Sequence, residues 1–176
     1  MMSGWRGRGG GRAQAGYSLV ELLVALAITG LVGGVLVLGI PQMQQIIRRS
    51  DNHTDVATQL QNAAYWIQLD AKMAQTVSPD PGESGLPLTL SWVEWDNTTH
   101  QVVYALDEGK LWRYHSINGG EPTRKWLASC VDPSPEATGC TFSEGVLQFQ
   151  ITATQGDGNT ASTETRTFRV HPRAFR

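Results

Sequence analysis

The chain has 176 residues and a mass of 19.2 kDa, room for one ordinary domain but not for two joined by a linker. Charged residues make up 17% against 40% hydrophobic, with 19 glycines and 8 prolines, which excludes a coiled coil, a highly charged disordered chain and collagen. A net charge of −2 supplies no basic field for a nucleic-acid backbone, so no direct nucleic-acid binding is expected, and two cysteines without CxxC spacing make neither a disulfide framework nor a zinc knuckle.

In chain order, residues 1–16 hold Arg6, Arg8, Arg12 and six glycines but no acid, and Tyr17 to Ile40 then carry Glu21 as their single charge. Past residue 16 there are 11 basic and 16 acidic residues, so the acidic excess lies in the distal part. A helix over Tyr17 to Ile40 would be about 36 Å long, enough for a hydrocarbon core of roughly 30 Å. A secretory signal peptide also opens with a basic region and an apolar run, but that run is usually only ~7–15 residues. The Ala13-Gln14-Ala15 tripeptide precedes the run, and Pro41-Gln42-Met43 after it has no small-x-small pattern. A membrane-spanning helix is therefore expected. Glu21 within it would cost on the order of 2.5–3.5 kcal/mol on insertion scales, so it either snorkels to the headgroups or faces a partner. Gly30 and Gly34 form a GxxxG pair through which helix backbones approach, although glycine is also simply frequent in membrane helices. Gly33, Gly34, Gly39 and Pro41 predict a soft or kinked stretch over 33–41. Three arginines before the segment against Arg48 and Arg49 after it favour a cytoplasmic amino terminus.

Gly16, Tyr17, Ser18, Leu19, Val20, Glu21, Leu22 and Leu23, followed by the apolar Val24 to Ile28, resemble the cleavage and methylation segment of type IV prepilins and pseudopilins: a glycine, an aromatic, a small hydroxyl residue, two aliphatics and a glutamate opening a long apolar helix. Tyr17 stands where phenylalanine is commonest. The resemblance implies a prepilin peptidase that cuts between Gly16 and Tyr17 and methylates the new amino terminus on Tyr17. It also implies that Glu21 pairs with the free amino terminus of an adjacent subunit during assembly. The expected partners are that peptidase, other pilin or pseudopilin subunits and the inner membrane. The implied location is a single pass through the inner membrane, carboxyl-terminal region extracytoplasmic, followed by assembly into a periplasmic or surface filament. The implied role is a minor pilin or pseudopilin of a type IV pilus or type II secretion system, a structural subunit rather than an enzyme, with no cofactor. The alternative is a singly anchored extracytoplasmic binding module or hydrolase.

Beyond Pro41, the recurrence of Val56, Leu60, Ala63, Ala64, Ile67, Ala71 and Ala74 at steps of three and four predicts a continuing amphipathic helix, stopped by the turn-rich Thr76 to Gly82. From Pro87 the period becomes two, with Leu88, Leu90 and Trp92 alternating. Gln101 to Leu106 and Lys110 to His115 around Asp107-Glu108-Gly109 predict a hairpin. Further strands are expected at Arg124 to Ala128, Val146 to Thr154 and Glu164 to His171, the last two joined through Gly156-Asp157-Gly158-Asn159. The fold class is thus α+β: a long amino-terminal helix, membrane-spanning in its first half, packed on a carboxyl-terminal antiparallel sheet, as in pilins. The divisions are a leader at 1–16, a transmembrane or filament-core helix at 17–40, an amphipathic helix at 41–78 and an exported β region at 79–176. Trp66 to Asp70, Tyr104 to Arg113 and Arg169 to Arg173 resemble the larger minor subunits, the J-type pseudopilins and related minor pilins.

Cys130 and Cys140 flank a loop rich in turn residues and are candidates for a disulfide, with two ordinary thiols as the alternative. His53, His100, His115 and His171 read as isolated, with no HExxH or CxxC set, so no metal site is expected. Trp66, Trp92, Trp95, Trp112 and Trp126 suit core and interface packing more often than ligand stacking.

Overall fold

A computed structural model of the chain describes residues 18–79 and 85–173. Gly16 and Tyr17 lie outside them, as does part of the turn-rich stretch after Ser78. The chain divides into two compact units, the first ending at Met43 and the second beginning at Gln44.

The described part of the first unit is helical from Leu19 and belongs to α1 (Leu19–Met73), 55 residues long. Its apolar side chains are exposed, and an 18-residue window within α1 reaches a mean hydropathy of 2.6 with none of it buried. α1 is therefore long and apolar enough to cross a membrane, and that window has no covering among the described residues. The softened stretch expected over 33–41 does not interrupt the helical backbone. A proline removes one i→i−4 hydrogen bond, and the turns on both sides, built mostly of good helix formers such as leucine before it and glutamine, methionine and arginine after it, still propagate.

In the second unit the remainder of α1 packs on antiparallel strands. A five-stranded sheet runs in sequence order, β1 (Thr76–Ser78), β2 (Leu88–Val93), β3 (Thr99–Asp107), β4 (Lys110–Ile117) and β5 (Thr123–Ala128). A three-stranded sheet holds β6 (Gly139–Ser143), β7 (Val146–Gln155) and β8 (Ser162–Val170). Two sheets thus replace the single sheet expected. The chain leaving β5 joins them: Val131 bridges Ala153, and the Thr154 amide donates to the Cys130 carbonyl.

The helix stripe read from the sequence is the buried one. Val56, Leu60, Ala63, Ile67, Ala71 and Ala74 form one core with Leu88, Leu90, Val102, Tyr104, Leu111 and Leu127 of the larger sheet and Phe142, Leu147, Phe149 and Ile151 of the smaller. Alanine at three of these six helix-side positions, Ala63, Ala71 and Ala74, lets the backbone approach the strands, while Leu60 and Ile67 fill the space between; truncating either costs about 2–5 kcal/mol. α1 ends at Met73, before the 78 expected, because Thr76–Ser78 instead pairs with β2, Val77 opposite Leu90.

Two hairpins share one turn chemistry. Asp107 pairs with Lys110 across Glu108 and Gly109, at φ 48° and 69°, and Ser143 pairs with Val146 across Glu144 and Gly145, at φ 52° and 75°. Positive φ at both central positions is the two-residue turn whose twist suits paired strands, which places glycine second. The β3–β4 loop is thus two residues long rather than three. β6 was not expected from the sequence; its short Gly-Cys-Thr-Phe-Ser run is a weak strand signal, but the Glu-Gly dipeptide before β7 repeats that of the first hairpin.

Candidate assembly site and the body it leads to

Glu21 lies in the first turn of α1 and is exposed. Ser18 precedes the helix, its carbonyl accepting the Leu22 amide at 3.2 Å, so Glu21 sits where the unsatisfied amides of a helix start favour an anion. Among the described residues Glu21 has no hydrogen-bond or ion-pair partner. It is the only charge from Ser18 to Ile47. Between Leu19 and Ile40 the other polar side chain is Thr29, whose hydroxyl donates to the Ala25 carbonyl at 2.8 Å. A Cβ built on Gly30, Gly33 or Gly34 would meet nothing within 4 Å. Each of these glycines weakens the helix by ~1 kcal/mol relative to alanine and relieves no contact among the described residues.

Within the second unit the sequence-noted Asp70, Tyr104 and Arg113 converge. The Arg113 guanidinium donates twice to the Asp70 carboxylate, Nε to Oδ2 at 2.7 Å and Nη2 to Oδ1 at 2.9 Å, and the Tyr104 hydroxyl donates to the same Oδ2. Asp70 and Arg113 are 4% and 8% exposed, so this is a buried ion pair with its geometry satisfied. Burial, reinforced by the Asp70 charge, pushes the Tyr104 phenol far above its ordinary pKa. Burial pulls Arg113 down, but its hydrogen bonds and charge pairing with Asp70 outweigh that and leave it raised. The Arg113 guanidinium also lies 4.9 Å from the Trp66 ring, which holds the Lys125 ammonium at 3.9 Å. Every member is consumed by another, so the cluster fastens α1 to β3, β4 and β5 and presents no free acid, base or nucleophile.

The tryptophans divide. Trp92 is buried in the core and Trp66 packs against it; Trp112 holds Arg124 at 4.0 Å and faces Trp126 across β4 and β5; Trp95 is 95% exposed on the β2–β3 hairpin. His100 and His115, read as isolated, are in contact, Nδ1 to Nε2 at 2.9 Å. Register arithmetic from the Glu108-Gly109 turn would have found them: His100 pairs with Ile117 and Val102 with His115, which makes the two histidines diagonal neighbours on one face. His53 approaches Glu164 at 3.6 Å and His171 is exposed. Among the described residues no group of three or more His, Cys, Asp or Glu is arranged to hold a metal ion.

The disulfide between Cys130 and Cys140 does not form; both thiols are free. Cys140 faces Phe149 across the β6–β7 ladder, whereas Cys130 bonds β7 at Thr154, five residues further on. At ~3.3 Å per residue that separates them by about 16 Å along the strand, where a bridge needs α-carbons roughly 4.4–6.8 Å apart. The buried Cys140 thiol donates instead to the Gly85 carbonyl at 2.8 Å, and burial pushes its pKa up to about 11.

Compared with known proteins, residues 11–37 match the family described as the prokaryotic N-terminal methylation motif. The chain therefore carries the type IV prepilin-like signal, and the matched stretch includes Gly16, Tyr17, Glu21, Gly30 and Gly34. No curated protein and no solved structure matches the chain. The motif supports a type IV pilin-like or pseudopilin-like protein and suggests a structural subunit rather than an enzyme; with the exposed apolar helix it fits membrane anchoring.

Proposed function

We propose that the chain is a minor pilin or pseudopilin, a structural subunit of a type IV pilus or type II secretion filament. Prepilin peptidase removes residues 1–16 and methylates Tyr17. Residues 17–40 first anchor the protein in the inner membrane, leader cytoplasmic and body extracytoplasmic, and then pack in the filament core. The helix to Met73 and the two sheets form the exported body, and the likeness of Trp66 to Asp70 and Tyr104 to Arg113 to J-type and related minor subunits favours a minor rather than a major role.

The observation that carries this reading is Glu21, a lone carboxylate in the first turn of α1, within the matched motif and the single charge of a stretch up to Ile47 whose described side chains are exposed. Burying it without a counter-charge would be costly, and the new amine of a neighbouring subunit supplies one. Gly30 and Gly34 support the same reading, because notches unused among the described residues serve close approach by another helix. The test is the mass and amino-terminal sequence of the membrane-extracted protein: a chain beginning with N-methyl-Tyr17, and an uncut precursor for Gly16→Ala, are expected. An intact leader in the wild type, or a cut beyond Ile40, refutes the proposal. Glu21→Gln should still be cleaved yet lose crosslinking to sister subunits.

A further inference from the structure

The histidine pair occupies a confined place in the larger sheet. Its rings stack with centroids 5.2 Å apart, and Trp92 stacks on both, 5.0 Å from His100 and 6.2 Å from His115. A hydrogen bond between two imidazoles needs one nitrogen bearing a proton and one without, so the closed pair accommodates one additional proton and not two. The charges facing it come from three directions. Glu94 lies 3.3 Å from His100 Nε2, and Asp96 of the same hairpin also attracts a charge on His100. Arg113 of β4 acts against a charge on His115, while Asp70 of α1 acts for it. From β5, the uncharged Thr123 lies opposite His115. Glu94 and Asp96 thus place negative charge beside His100. Burial, then Arg113, then a charged His100 oppose the second proton and lower His115 from its ordinary 6.5. Trp92 Nε1 is buried with no hydrogen-bond partner among the described residues, so opening this corner would also release an unsatisfied donor to water.

We propose that the His100–His115 pair is an acid-sensitive latch tying the β2–β3 hairpin, with its exposed Trp95, to β4. Because the opened form takes the second proton more readily than the closed form, the latch is fully effective above pH ~6.5 and weakens as pH falls below it. The open-to-closed ratio rises by up to about tenfold per pH unit until His115 is charged in the closed form as well.

The test is hydrogen exchange of the full chain in detergent micelles between about pH 7.5 and 5, with rates corrected for intrinsic chemistry. Segments 92–100 and 114–117 should lose protection by up to about tenfold per unit below pH ~6.5, while β7 and β8 stay flat. His115→Gln, which cannot take the proton, should remove the slope, and His53→Gln should keep it. A flat wild-type profile, or an unchanged slope in His115→Gln, overturns the proposal. If His115→Gln is unprotected even at pH 7.5, imidazole resonances of the wild type decide: loss of protection together with the second ring proton supports the latch, and two fully protonated rings with undiminished protection overturn it.

Discussion

Arg113→Met tests how the helix is fastened to the sheet. The change keeps an apolar stem of similar length, so packing against Trp66 is largely preserved, but it strands Asp70 at 4% exposure with the Tyr104 hydroxyl as its remaining partner in the cluster. Removing one partner of a buried ion pair costs about 3–5 kcal/mol, mostly the unpaid solvation of the other charge. For a chain of this size each kcal/mol moves the midpoint by about 2–4 °C, so a loss of roughly 6–20 °C is expected. Asp70→Leu combined with Arg113→Met removes both charges and should recover most of that loss, since a pair's attraction and desolvation nearly cancel. The readout is near-ultraviolet dichroism or urea unfolding of the detergent-solubilised protein, which follows the tryptophan-containing body rather than the apolar helix. A single variant within about 1 kcal/mol of wild type, or a double variant as unstable as the sum of its parts, would refute the idea that the pair is buried and mutually dependent.

Gly156→Ala should destabilise by about 1–3 kcal/mol in the same unfolding assay, because Gly156 has φ +84° and an added Cβ would lie 2.2 Å from Asn52 Nδ2 and 2.9 Å from the Thr160 carbonyl. It would also disturb the 2.9 Å hydrogen bond from Asn52 to that carbonyl, so Asn52→Ala should have a smaller effect in the same direction. Under native conditions an alkylating reagent near pH 8 should modify the exposed Cys130 and spare Cys140 until the body unfolds; equal rates would refute the placement of Cys140. Mild oxidation of the folded protein should leave the two unlinked within one chain, as judged by peptide mapping.

Strand order and register followed from local signals where the turn chemistry was explicit. Glu108-Gly109 specifies its hairpin, and the alternation at Leu88, Leu90 and Trp92 specifies the buried face of β2. β1 was missed because three residues cannot display a period, and β6 because Gly-Cys-Thr-Phe-Ser is a weak strand signal; each exists through the neighbour it pairs with, Val77 on Leu90 and Cys140 on Phe149. The division into two sheets was equally hidden, since it depends on Cys130 to Asp132 leaving the first sheet and pairing with β7.

The amino-acid order alone determined the apolar helix, the position of Glu21 five residues after Gly16, and the face that α1 buries beyond Pro41, because each is a matter of spacing along one element. Only the tertiary structure decided that Asp70, Tyr104 and Arg113 form one buried cluster, that two histidines share a hydrogen bond, and that two cysteines ten positions apart stay separate. Those outcomes depend on which residues of different strands and of the helix come opposite one another, and a ladder register set by turns and packing, rather than distance along the chain, chooses them.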